Sequence, residues 1–446
     1  MRLGKTINLI IILTIATTTF AQTKDSLNNG WSTHFQATVI GQNHPGFKAL
    51  YSGENSLADT VEPTAVSLTA TLFFGKKLWK GAAFYLNPEV AGGNGLSYAM
   101  GVAGALNGET PRVDNVDPKV FIARAYLQQH FPLGNTTYEA VKDDINQVAD
   151  MVPKNRITIT AGKFAISDFF DDNAYSKDPR TQFFNWSLWA NGAWDYPANT
   201  RGYTYGLVTE LVYENWSARL STVSVSKIAN APAMEYNAHA HSETFEAAKK
   251  WSVRNRSGAV RLLLSNTYSR APSYKDGIKA IADNNTFLLN VFRGFQENNV
   301  YGGRKFSIGL NAEQALTDNI GVFGRAGWDD GKHASWAFTE IDQTANVGLS
   351  MKGTKWKRPN DVWGIAGVVN GLSKDHKDFL AAGGYGFIIG DGKLNYGHEA
   401  IIETYYNAKL TKFLWVTFDY QFVNNPGYNK DRGPVHVFGL RAHVEM

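Results

Sequence analysis

Beyond residue 20 this chain offers no apolar run long enough to cross a membrane as a helix, yet apolar and polar residues alternate one for one through stretch after stretch. A bilayer admits only backbones whose hydrogen bonds are met internally, so a chain of this pattern can span a membrane only as a closed β-barrel. In such a barrel every second side chain faces lipid and the others face the lumen, which predicts period two over about 10 residues per strand. Trp31, Thr33, Phe35, Ala37 and Val39 alternate with Ser32, His34, Gln36 and Thr38. Val66, Leu68, Ala70, Leu72 and Phe74 form a second row, and Tyr205, Leu207, Leu211 and Tyr213 a third, opposite Thr204, Gly206 and Glu210. Phe306, Ile308, Leu310 and Ala312 oppose Ser307, Gly309, Asn311 and Glu313. In 320–328, Phe323 and Arg325 share one face and Val322, Gly324 and Ala326 the other, with either side possible for lipid. Leu414, Val416, Phe418, Tyr420 and Phe422 oppose Trp415, Thr417, Asp419 and Gln421, and residues 434–446 repeat the pattern as expected of a closing strand.

A soluble β-sandwich alternates in the same way. Length separates the two. Without a leader, the 446-residue chain divides into about 16–18 strands with turns and long loops, a size at which the lumen is too wide for side chains to fill. The expected fold is therefore all-β, a transmembrane antiparallel β-barrel of about 16–18 strands with short loop helices. Those helices are expected at 137–152, where Tyr138, Val141, Ile145, Val148 and Val152 fall at helical spacing, and at 273–283, from Tyr274, Ile278 and Ile281. At the start, Arg2 and Lys5 precede an apolar stretch over 7–20, and Thr19-Phe20-Ala21 presents small residues at the positions a signal peptidase reads. Residues 1–21 are expected to be a cleaved signal peptide and 22–446 the barrel.

Composition excludes several classes. There is no cysteine, hence no thiolate metal site, disulfide or cysteine nucleophile. The 44 basic and 40 acidic residues are interspersed, without the basic blocks of a nucleic-acid face. His239 and His241 form an H-x-H pair with no third ligand at a motif spacing. The cluster Asp168, Asp171, Asp172 and Asp178 lacks the glycine and terminal glutamate of an EF-hand loop and reads as a surface turn. No catalytic residue, cofactor or metal is expected.

The segments LTATLFFGKKLWKGAAFYLNPEVAGG (68–93), ITAGKFAISDFFDDNAYSKDPRTQFFNW (159–186), NGAWDYPANTRGYTYG (191–206), AGGYGFIIGDGKLNYG (382–397) and DYQFVNNPGYNKDRGPVHVFGLR (419–441) are similar to the carbohydrate-selective porins of the OprB family. These strings occur in order through most of the chain and fade over 227–305. The resemblance implies a passive channel for mono- and oligosaccharides in the outer membrane of a Gram-negative bacterium. The expected partners are outer-membrane lipid, carbohydrate solutes and the barrel-assembly machinery, with the barrel a monomer or a homotrimer. A glycan-binding or glycan-cleaving β-protein and a polymer-export barrel are the alternatives, the latter disfavoured by the balance of charge.

Sugar channels combine aromatic faces, which stack on the apolar side of a pyranose, with charged and amide groups that replace the hydration of its hydroxyls. Residues 194–205 contain both, which makes Trp194, Asp195, Tyr196, Asn199, Arg201 and Tyr203 candidates for a constriction. The competing reading of this string is an aromatic girdle at the membrane interface. Arg124, Arg261, Asn311, Glu313, Arg325, Glu403 and Asp419 are further pore-lining candidates, because an arginine facing lipid at the midplane costs about 2–4 kcal/mol. For each of these, solvation of the pore wall is the plainer alternative to sugar contact.

Overall fold

The structure, a computed structural model, describes residues 30–110 and 116–446; the expected signal peptide lies outside the described residues. The chain opens with β1 (Trp31–Asn43), β2 (Ala65–Trp79), β3 (Ala82–Gly93) and β4 (Lys119–Pro132), then a small hairpin of β5 (Tyr138–Val141) and β6 (Asp150–Pro153). There follow β7 (Arg156–Phe164), β8 (Thr204–Tyr213), β9 (Trp216–Ser224), β10 (His241–Val253), β11 (Arg256–Ser269) and β12 (Gly303–Ala315). The last six are β13 (Ile320–Asp329), β14 (Gln343–Gly353), β15 (Arg358–Gly371), β16 (Glu399–Lys409), β17 (Leu414–Asn424) and β18 (Val435–Glu445). All but β5 and β6 form one closed antiparallel barrel of 16 strands. The first and last strands close it, paired from Gln36 with Glu445 to Asn43 with Phe438, so no edge of the sheet is left with unpaired backbone groups.

Strand phase follows the sequence. Leu207, Leu310, Phe418 and Leu440 are exposed on the outside, whereas Val208, Asn311, Asp419 and Arg441 between them are buried inside. For β13, where either side was open, Phe323, Arg325 and Asp329 turn inward and Trp328 outward. Tight turns such as 80–81, 214–215, 254–255 and 410–413 mark one end and long loops the other, which in outer-membrane barrels are the periplasmic and external ends. Exposed Trp31, Trp79, Phe131, Tyr213 and Trp216 ring the short-turn end at the position of an aromatic girdle.

The helix expected at 273–283 is present as Tyr274–Ala282, its N-terminus capped by Ser273 Oγ, which accepts the Asp276 N–H at 3.1 Å. It packs with the helices Thr286–Phe292 and Lys374–Ala381 over the long-loop end, the Phe292 and Phe379 rings 4.5 Å apart. The helix expected at 137–152 is corrected to the β5–β6 hairpin. Asp144 and Gln147 exchange backbone hydrogen bonds around Asn146, whose φ of 52° a right-handed helix does not contain. The helical spacing of its valines serves instead to put Val148 and Val152 on the buried side of a turn and a short strand.

Candidate functional site

The constriction is built by the longest interruption between barrel strands, residues 165–203, which folds into the lumen rather than outward. Its short helix Trp186–Trp189 is capped by Asn185, which accepts the Ser187 N–H at 3.1 Å. One side of this loop is bonded to the lumen face of β11–β18. Glu403 accepts the N–H groups of Phe184 at 2.5 Å and Asn185 at 2.9 Å. Arg325 binds Asp171 at 3.0 Å and donates to the carbonyls of Leu188 and Ser176 at 3.1 and 2.6 Å. Arg441 donates to the carbonyls of Pro179 and Gln182 at 2.7 and 2.9 Å. A buried polar group without a partner costs about 1–3 kcal/mol, so these contacts fix an irregular backbone where no sheet could hold it.

The other side of the loop and the lumen face of β1–β4 enclose a continuous passage of about 770 Å³. Arg180 projects into it from the loop, with Nε 2.8 Å from Glu109 and Nη2 3.2 Å from Glu89 on β3. Thr71 donates to Glu89 at 2.5 Å and Tyr203 donates to its other oxygen at 2.8 Å. Arg124 on β4 forms a bidentate pair with Asp168, both contacts 2.7 Å, and its guanidinium lies 5.4 Å from the Tyr203 ring centre. Arg201 lies over Phe121 at 3.9 Å. An aromatic surface completes the wall. Trp186 stacks on Phe338 at 4.6 Å and on Tyr196 at 5.4 Å, with Trp189 4.6 Å away. The indole N–H groups of Trp186 and Trp189 have no protein partner among the described residues.

Arg180 and Asp172 of the loop are held in their charged forms. Burial alone would lower Arg180, but Glu109 and Glu89 outweigh it and hold the guanidinium above its ordinary value. Burial, then Glu89, push the Tyr203 phenol well above its ordinary value, so it stays a neutral donor. Lys177 holds Asp172 below the usual carboxylate range against burial, and Arg261 adds to the effect. Alternating paired charges of both signs leave little net field for an ion to follow and many groups with which a hydroxyl can exchange hydrogen bonds.

Of the residues singled out by sequence, the structure brings Arg124, Tyr196, Arg201 and Tyr203 to the passage. Trp194 is buried behind it against Phe170, Asp195 clamps the backbone N–H groups of Trp336, Ala337 and Phe338, and Asn199 accepts from Arg201 and Tyr203 N–H. These three shape the wall without forming its surface. Arg261, Asn311, Glu313, Arg325, Glu403 and Asp419 do point into the barrel, but away from the passage. Asn311 bonds Asp171 at 2.5 Å, Glu313 accepts the Ala174 N–H at 2.6 Å and pairs with Arg261, and Asp419 accepts from Gln421. The aspartate cluster is not a surface turn: Asp168, Asp171 and Asp172 lie on the inward loop and pair with Arg124, Arg325 and Lys177 respectively. Sequence reasoning missed Glu89, Glu109, Arg180, Trp186, Trp189 and Phe338. Glu89 could have been found from its lumen phase in β3, but Arg180 meets it across 91 positions of chain, a distance no spacing rule bridges.

Comparison with known proteins agrees with this geometry. The family described as carbohydrate-selective porin, OprB family, matches residues 69–446. The high-pH structure of Pseudomonas putida OprB aligns with a TM-score of 0.67 at 16% identity, covering 94% of this chain and 95% of that one. The outer membrane channel DcaP of Acinetobacter baumannii aligns with a TM-score of 0.50 at 11% identity, covering 96% of this chain and 100% of that one. No curated protein sequence matches. Identities this low attest to the fold alone; the family match, spanning most of the chain, carries the relationship. The chain thus belongs to the carbohydrate-selective porins of the OprB family, a sugar channel of the Gram-negative outer membrane.

Proposed function

We propose that mono- and oligosaccharides diffuse passively through this passage and are selected where Arg180, Glu89, Glu109, Arg124, Asp168 and Tyr203 face the Trp186, Tyr196 and Phe338 surface. The observation that carries the reading is the pairing of the Arg124 and Arg180 guanidiniums with carboxylates within the passage itself. A neutral polyol exchanges its water for these groups while its ring face rests on the aromatics, a contact type worth about 0.5–1.5 kcal/mol. A small ion gains little from charges already compensated, and an amino acid has too few hydroxyls to use them. No bond is made or broken, so the channel needs no catalytic residue or cofactor. One chain encloses a whole passage, so transport needs no second subunit. Cleavage after Ala21 and insertion by the barrel-assembly machinery complete the reading.

Liposome swelling with the refolded protein tests it, comparing a monosaccharide, an amino acid and a salt of similar size. Faster uptake of the sugar is expected. Equal uptake of all three would make it a general porin.

A further inference from the structure

The connection between β4 and β7 is anomalous for its end of the barrel. The other short-end links between barrel strands run two to four residues, whereas this one spans 133–155 and builds the β5–β6 sheet, which pairs with no barrel strand. It does not hang into the periplasm. Val148 and Val152 are buried against the barrel interior, and the Val148 N–H donates to Tyr85 Oη at 3.3 Å. Val148 occupies a notch left by Gly75 on β2, where a Cβ would stand 2.7 Å from Val148 Cγ2. Polar ties surround this contact: Asp143 to His34 at 3.3 Å, the Asp144 carbonyl to Ser32 Oγ at 3.4 Å, and Asp150 to Lys77. Ser32, His34, Gly75, Lys77 and Tyr85 all belong to the lumen phase of β1–β3, so the hairpin is fastened across that side of the periplasmic mouth.

The passage runs down onto this hairpin and is bounded there by Asn146, Gln147 and Asp150. A second cavity of about 530 Å³ lies on the far side of the hairpin, between residues 135–139 and the ends of β8–β10, and Arg156 and Glu210 line both spaces. The hairpin thus stands below the passage on the β1–β3 side, and the second cavity adjoins it at Arg156 and Glu210.

We propose that residues 133–155 form a second, exit-side filter, which turns the solute sideways past Arg156 and Glu210 and limits the length of saccharide that leaves the channel. The constriction above reads chemistry, through charge pairs and aromatic faces. The hairpin reads size, because a rigid oligosaccharide must bend its path around it. The inference rests on the reading of the passage as a sugar route.

The test replaces 133–155 with Asn-Gly. Pro132 and Arg156 are ladder partners, so a two-residue turn joins them without moving the strands. Single-channel conductance should rise about twofold or more, and uptake of maltohexaose relative to glucose several-fold, with glucose still preferred over an amino acid. A folded variant with the wild-type conductance and size limit overturns the proposal. Should that variant fail to fold, Gln147→Cys in this cysteine-free chain gives a second route. Modification with a bulky methanethiosulfonate should cut conductance by about half or more if the hairpin borders the exit, and unchanged conductance overturns the proposal equally. Failure of the wild-type protein to admit glucose would instead defeat the underlying sugar reading.

Discussion

The lumen wall formed by β1–β4 and the one formed by β11–β18 carry the same residue types at the same strand phase, and they serve different ends. On the first, Glu89 and Arg124 line the open passage, where Glu89 pairs with the projecting Arg180 and Arg124 with Asp168 of the loop. On the second, Arg325, Glu403 and Arg441 are fully covered and bonded largely to the backbone of the inward loop. The difference teaches that an inward charge in a wide barrel has two uses. It can solvate a route, or it can stand in for the sheet partners that an irregular loop lacks. The loop itself is the divider, and it makes the passage eccentric.

The largest effect in breaking this comparison is expected at the anchoring wall. Arg325→Ala removes the counter-charge of Asp171, leaving it the neutral donors Asn311 and Asn191 N–H, and takes one donor from each of the Leu188 and Ser176 carbonyls; removing one partner of a buried pair costs about 3–5 kcal/mol. The loop should leave its seat, conductance should rise several-fold with loss of sugar preference, and the heat-shifted mobility of the folded barrel should be lost at lower temperature. A variant of wild-type conductance would show that the remaining anchors, Asn311 to Asp171 and Glu403 to the loop backbone, hold the loop without Arg325.

Next comes Arg180→Ala, on the passage side. It leaves Glu89 and Glu109 uncompensated, so the reversal potential under a salt gradient should move toward cations and the preference for sugar over salt should fall. Stability should change far less than for Arg325→Ala; a matching loss would mean that Arg180 is also an anchor.

A smaller effect is expected for Trp186→Ala. Loss of a ring stacked on Phe338 and Tyr196 should reduce sugar flux by about two- to tenfold, the equivalent of one aromatic contact, while leaving ion conductance close to wild type. Trp194→Phe, set behind the wall, should leave sugar flux unchanged and so serves as the internal comparison.

The smallest effect concerns pH. Burial and Glu89 raise the Tyr203 phenol well above its ordinary value near 10, so its neutral form persists to higher pH than that of a free tyrosine. Sugar flux should therefore stay level from pH 7 to about 10; a fall setting in near 10, absent from Tyr203→Phe, would mean that this phenol titrates normally.

Most of the barrel was legible from the chain. Strand phase is local, because side chains in an extended strand alternate regardless of what lies beyond, and Ser307 to Glu313 or Thr417 to Gln421 could be assigned inward from their neighbours alone. The helix at 274–282 announced itself through the apolar spacing of Tyr274, Ile278 and Ile281. The 137–152 segment misled because its valines satisfy a helical count while Asn146 adopts a left-handed turn. The site was legible only in part. The string 194–205 was found by composition, and Tyr196, Arg201 and Tyr203 reached the passage, but Trp194, Asp195 and Asn199 of the same string turned away from it.

By itself, then, the sequence determined that this chain closes into a barrel, which side chains face lipid in the strands other than β13 whose alternation is clear, and that the lumen is polar, since all three follow from a period of two and from the cost of unpaired groups in a bilayer. Tertiary structure alone decided which inward residues border the route and which hold the loop. Arg180 meets Glu89, Arg325 meets Asp171 and Asp143 meets His34 across 91, 154 and 109 positions, and contacts between such distant residues depend on how loop and hairpin pack inside the lumen.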